Sequence, residues 1–220
     1  MAVKKIEEQK GAGHNQPQIF QEKQLNNTKA KVGEKELEKL LEGNRRFVKG
    51  DYKGDRTPLR REEVAEGQKP FAIVITCSDS RTPPEHIFDA GIGDIFVIRT
   101  AGNVVDAITI GSVEYAAEHL NVPLVVVMGH SKCGAVTAAS AEGHVHGNIG
   151  EIIKAIKPAV EMAKTSNPEN VIEEAVKINA RITSDSLITK SELLAELEKK
   201  GKLKIVTAKY ELDTGEVGVI

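Results

Sequence analysis

Tryptophan is absent from the 220-residue chain, aromatic residues make up only 4% of it, and there are just two cysteines, Cys77 and Cys133. Two cysteines cannot make a disulfide framework, and their scarcity fits a reducing compartment. No apolar run approaches the length of a membrane span. The first residues, MAVKKIEEQKGAGHNQPQ, lack the apolar core of a secretion signal, so a soluble, cytoplasmic protein is expected. The formal net charge is -2, which gives no excess of positive charge for nucleic acid or an anionic membrane surface. Internal repeats and low-complexity tracts are also missing.

What remains is an ordinary globular composition, 40% hydrophobic and 28% charged, with enough length for one core. Residues 1–31 are polar and show no apolar periodicity, so they read as a mobile N-terminal arm ahead of a single domain over 32–220. Leu37, Leu40, Leu41, Phe47 and Val48 recur at helical spacing, which predicts an amphipathic helix over 34–49. Short apolar runs at 71–76, 95–100, 124–129 and 203–212 predict strands. The middle two are apolar on both faces, as central parallel strands should be. Helical patterns lie between them at 107–120, 133–142, 149–164 and 169–200. The tripeptide DTG at 213–215 reads as a hairpin turn into a final strand, EVGVI. The fold class is therefore α/β, with a largely parallel sheet of four to five strands, an antiparallel edge strand, flanking helices and an N-terminal helical arm.

Both cysteines fall where open parallel sheets build their sites, at the C-terminal ends of strands. Cys77 closes the strand 71–76, and Cys133 follows 124–129 in His130-Ser131-Lys132-Cys133. A lone buried cysteine is usually just a small core residue. Two thiols and one imidazole at neighbouring strand ends are instead a donor set suited to Zn²⁺. Three protein ligands leave a fourth position open, as catalytic zinc requires, unless Asp79 closes it. TPPE at 82–85 predicts a helix start capped by Thr82, with Pro83 in the first turn and Glu85 completing a capping box. Alternation in an extended segment would turn Cys77, Asp79 and Arg81 to one side and Ser78 and Ser80 to the other.

CSDSR followed by HSKC resembles the β-class carbonic anhydrases. The resemblance continues through GDIFVIRTAGNVV (93–105), SVEYAAEHLNVPLVVVMGHSKCGAV (112–136) and GKLKIVTAKYELDTGEV (201–217), and spans roughly residues 34–218. It implies that Cys77, His130 and Cys133 bind Zn²⁺ and that Asp79 and Arg81 form a catalytic dyad. The implied reaction is the reversible hydration of CO₂ to bicarbonate and a proton by zinc-bound hydroxide. Because two thiolates neutralise the metal's charge, activity should rise toward alkaline pH. Gln68, Phe96, Ala101, Tyr115 and Gly134 match positions that line the family's substrate pocket, some of it contributed across a dimer interface. A homodimer or homotetramer is implied, with no nucleic-acid or membrane partner. One family type draws the aspartate onto zinc under bicarbonate control, using a tryptophan near the first cysteine. This chain has Val74 there and no tryptophan, which favours the open type. His86, His119, His144 and His146 are candidate proton shuttles. Hydrolysis of CS₂ or COS by the same metal site, and a zinc-stabilised binding protein without turnover, are the alternatives.

Overall fold

In a computed structural model, which describes residues 31–141, 143 and 147–220, the periodic segments take up their expected forms. The expected arm therefore lies outside the described residues except for Lys31, as do His144 and His146. The first helix, α1, spans Glu34–Lys49 and ends at Gly50 in the left-handed conformation. A short helix, α2 (Pro58–Glu63), is capped by Thr57, whose side chain accepts the Arg60 amide.

Five strands follow: β1 (Ala72–Cys77), β2 (Ile95–Thr100), β3 (Leu124–His130), β4 (Lys204–Tyr210) and β5 (Val217–Val219). They lie in the order β2-β1-β3-β4-β5. The first four are parallel and β5 pairs antiparallel with β4. Gly215, at φ 79°, makes the turn between them, so DTG is a hairpin turn.

The interleaved helices are α3 (Pro84–Ile87), α4 (Ala107–Glu118), α5 (Gly134–Ser140), α6 (Ile149–Thr165), α7 (Val171–Lys190) and α8 (Glu192–Lys199). The Asp106 carboxylate caps α4 by accepting the Thr109 amide at 2.8 Å. The pattern read as one helix over 169–200 is two. Ser191 stands extended between α7 and α8, and its side chain caps α8 at the Leu194 amide.

Every residue of β1 and β3 is buried. Alternate residues feed opposite layers, as the pleat requires. Ile73, Ile75, Val125 and Val127 pack with Ile110 and Val113 of α4 and Leu187 of α7. Val74, Val126 and Met128 pack on the other face with Leu40 of α1 and with Ile87 and Phe88.

The expectation of a central strand over 95–100 fails. β2 is the sheet's edge, its residues are only half-buried, and Arg99 is exposed. The central pair is β1 and β3. The apolar residues of β2 meet both core layers, Phe96 and Ile98 on one face and Ile95 on the other, and its free edge stays partly open within one chain.

Candidate metal centre

β1 and β3 are parallel neighbours whose register pairs Thr76 with Met128. One step past that pair, β1 ends at Cys77, and two steps past it β3 ends at His130. The turn Ser131–Lys132 then delivers Cys133 as the N-cap of α5. Adjacent strand ends and one tight turn thereby bring Cys77 to His130 and Cys133, 53 and 56 positions later in the sequence. The Cys77 and Cys133 sulfurs and a His130 ring nitrogen all lie within 4.8 Å of one another, and all three residues are buried.

The histidine's tautomer follows from its partners. Nδ1 lies 2.9 Å from the Ser131 carbonyl, which can only accept, so Nδ1 carries the proton. Ser131 is itself held by β4. Its amide donates to the Tyr210 carbonyl and its hydroxyl accepts the Leu212 amide. Nε2 is left as a lone pair, fully buried and without a hydrogen-bond partner. An orphaned buried acceptor is costly unless something electron-poor meets it.

The thiols tell the same story. The Cys133 thiol, as hydrogen-bond donor, pulls the Cys77 thiol down to about 4, against the burial that opposes it, with the amides of Asp79 and Gly102 adding. The resulting Cys77 thiolate, together with burial, pushes Cys133 up. The cluster carries one negative charge readily and a second only when a cation shares the space. Two sulfurs and one unprotonated imidazole nitrogen fit a zinc-like ion.

Cys77 Sγ accepts two backbone amides, from Asp79 at 3.4 Å and Gly102 at 3.3 Å. The helix start expected to support it does not do so. α3 begins at Pro84 and has no side-chain cap. Thr82 instead turns its hydroxyl back to the carbonyls of Cys77 and Asp79. A proline pair leaves few helix amides for Thr82 to cap, and the Cys77 and Asp79 carbonyls, which also accept from Arg99, take its proton.

Asp79 and Arg81 meet, though not through strand alternation. The strand stops at Cys77 and a turn closes from the Asp79 carbonyl to the Thr82 amide. Arg81 then binds Asp79 with Nε, Nη2 and its own amide, at 2.9, 2.7 and 3.0 Å. Ser78 and Ser80 are exposed rather than packed on neighbouring strands. Arg81 holds the Asp79 carboxyl well below the usual carboxylate range, against some burial. Asp79 Oδ2 lies 3.9 Å from His130 Nε2, so the carboxylate overlooks the cluster while Arg81 retains it.

Of the remaining expected site residues, Gln68 and Phe96, with Tyr115 beside Phe96, lie away from their own chain's cluster. Gln68 is exposed ahead of β1, at the opposite end of that strand from Cys77. Phe96 pairs with Ile73, four residues or about 13 Å along the strand from the Cys77 pair. Its ring packs 6.5 Å from that of Tyr115, which is 48% exposed. Ala101 does adjoin the site, next to Gly102 in a 3-10 turn. Gly134 follows Cys133, but a Cβ there would meet nothing within 4 Å, so no tight backbone approach within this chain requires glycine. His86 is exposed on α3, and the His119 ring lies 5.4 Å from that of Tyr115, tilted by 47°.

Arg99 was not among the expected residues. Its Nε and Nη2 donate to the carbonyls of Cys77 and Asp79 at 3.0 and 2.6 Å, clamping the segment between them. A lone arginine in an otherwise apolar strand, IFVIRT, was the available signal.

Comparison with known proteins agrees with this geometry. The family model described as "Carbonic anhydrase" matches residues 72–217. "Carbonic anhydrase 2" of Mycobacterium tuberculosis is 40% identical over 181 residues, covering 80% of this chain and 87% of that protein. The "Carbonic anhydrase" of Mycolicibacterium smegmatis is 39% identical over 184 residues, covering 81% and 88%. Among solved structures, a tetrameric β-carbonic anhydrase of Sordaria macrospora superposes with a TM-score of 0.68 at 26% identity, covering 74% of this chain and 87% of that one. The β-carbonic anhydrase CafA of Aspergillus fumigatus superposes at 0.66 with 26% identity, covering 74% and 81%.

Proposed function

The chain belongs to the β-class carbonic anhydrases, and on that footing we propose that Cys77, His130 and Cys133 hold its zinc ion, with Asp79 and Arg81 as the catalytic pair. The reaction is the interconversion of CO₂ and bicarbonate. The observation that carries the site assignment is the convergence of two buried thiols and a His130 ring nitrogen within 4.8 Å, with His130 Nε2 buried and unpartnered. When bound, zinc supplies a Lewis acid that lets water act as a nucleophile near neutral pH.

The chain's own groups do the rest. Asp79 is ionised and so can only accept, and its Oδ2 faces the cluster. It takes a hydrogen bond from the attacking oxygen and turns that oxygen's lone pair toward the substrate carbon. Arg81 keeps Asp79 charged and fixed in direction. The Ser131 carbonyl keeps the proton on Nδ1 of His130 and leaves Nε2 free to coordinate. Arg99 and Thr82 hold the backbone that carries both Cys77 and Asp79.

The active form is a homodimer or a multiple of it, closed over the free edge of β2. Supporting this are the half-buried apolar residues of that edge strand and the exposure of Ile108 and Tyr115, at 82% and 48%, on the adjacent α4. Pocket roles for Gln68, Phe96 and Tyr115 then fall to a neighbouring copy's cluster, with Ala101 and Gly134 serving their own. The domain over 32–220 carries the activity, and the cell compartment is the cytoplasm. Among the described residues no helix is long and apolar enough to cross a membrane.

The test combines stopped-flow CO₂ hydration with metal analysis and sedimentation. The expected result is a zinc-containing oligomer whose rate is lost on Cys77→Ser or Cys133→Ser. A monomer, or retained activity in those variants, would overturn the assignment.

A further inference from the structure

Asn179 sits in the middle of α7 and is 2% exposed, among Val176, Ala180 and Thr183 on the helix's buried side. An amide in such a place is unfavourable unless it is hydrogen-bonded. Its Nδ2 donates at 2.8 Å to the carbonyl of Gly102, 77 positions earlier. Gly102 is the residue whose amide donates at 3.3 Å to Cys77 Sγ. We propose that Asn179 is a positioning residue for the Cys77 thiolate, acting through Gly102 to hold an N–H···S bond on the metal-binding sulfur. The inference rests on the zinc site proposed above.

The backbone around Gly102 explains why an anchor is needed. Gly102 has φ +67°, and a Cβ there would come within 2.5 Å of Ile156 Cδ1. Only glycine fits, and glycine is the residue least able to keep its own amide pointed. Asn103 follows at φ 47°, another conformation that needs support from its surroundings. A hydrogen bond on the Gly102 carbonyl fixes the peptide that leaves the residue, and with it the direction of the N–H that enters. The donor comes from a rigid helix whose other buried side chains make the core. Hydrogen bonds to a ligating sulfur take up part of its charge and orient it, which sets how firmly it holds a metal.

The experiment uses the zinc- and Co²⁺-loaded full-length protein. Asn179→Leu keeps the volume without a donor, and Asn179→Asp keeps the shape while presenting acceptors to the Gly102 carbonyl. Ser184→Ala, on the same helix, removes a different buried contact, the 2.8 Å hydrogen bond to Thr207, and serves as the comparison. The readouts are the rate of metal transfer to a chelator and the sulfur-to-cobalt charge-transfer band. The expected result is release about ten- to a hundredfold faster in whichever Asn179 variant folds, with a shifted band, while Ser184→Ala matches the wild type. Wild-type release and band in a folded Asn179 variant would overturn the proposal. So would the same acceleration in Ser184→Ala, or unfolding of both Asn179 variants with and without metal. A wild-type chain that takes up no metal would instead count against the zinc site itself.

Discussion

Arg81 grips both oxygens of the Asp79 carboxylate, with Nε 2.9 Å from Oδ1 and Nη2 2.7 Å from Oδ2. The pair holds the Asp79 carboxyl well below the usual carboxylate range, so it is ionised and an acceptor at neutral pH. Asp79→Asn would present an amide donor to the guanidinium and to the nucleophile. The expected outcome is a fall in kcat of about a hundredfold or more with metal content unchanged. Stopped-flow kinetics beside metal analysis checks it. Full activity in this variant would remove Asp79 from the mechanism.

Arg99 holds the carbonyls on either side of Ser78 with two hydrogen bonds. Lysine can place one ammonium there but cannot reproduce the fork. Arg99→Lys should lower kcat about tenfold or more by loosening Asp79 relative to the cluster, while the three metal ligands stay in place. Kinetics with metal content on the same preparation separates the two effects. Loss of metal as the main consequence would mean that Arg99 serves Cys77 rather than Asp79.

Gly102→Ala puts a methyl 2.5 Å from Ile156 Cδ1 in a left-handed backbone conformation. The expected cost is about 1–3 kcal/mol in stability, read by denaturant unfolding. Gly134→Ala is the control, because its Cβ would meet nothing within 4 Å. It should leave stability close to that of the wild type.

Asp89 gives the acid limb of the stability curve. Burial opposes its charge, but Arg46 and the amides of Gly54 and Lys53 outweigh it and leave the carboxyl below its ordinary value. A lowered folded pKa means that its contribution is complete above the unfolded value, near pH 4. That contribution is lost as pH falls through the folded value. Asp89→Asn should cost roughly 3 kcal/mol at neutral pH, and the gap to the wild type should narrow below about pH 4. A gap that stays constant into acid would mean that the carboxylate's charge contributes nothing.

The strands, helices and three metal-binding candidates were legible because each rests on local pattern: apolar runs, helical spacing, and cysteines at strand ends. Strand order was less so. β2 reads as central because its residues are apolar, yet apolar content does not distinguish a strand covered by its own chain from one left at an edge. Thr82 looks like a cap from its spacing, and only the folded loop reveals two closer acceptors in the Cys77 and Asp79 carbonyls. Arg99, Ser131, Gly102 and Asn179 act on the site through backbone groups. Backbone contacts leave almost no trace in residue type, so their roles emerge only once the strands are paired. On the function proposed above, Gln68, Phe96 and Tyr115 serve a second copy, which one chain's pattern does not encode.

The most direct test of the central claim is the CO₂ hydration rate of one preparation before metal removal, after it, and after stepwise return of zinc. About one zinc per chain is expected, with activity that rises in proportion to zinc returned and a rate that increases toward alkaline pH. A metal-free protein that hydrates CO₂ at the full rate would contradict that claim.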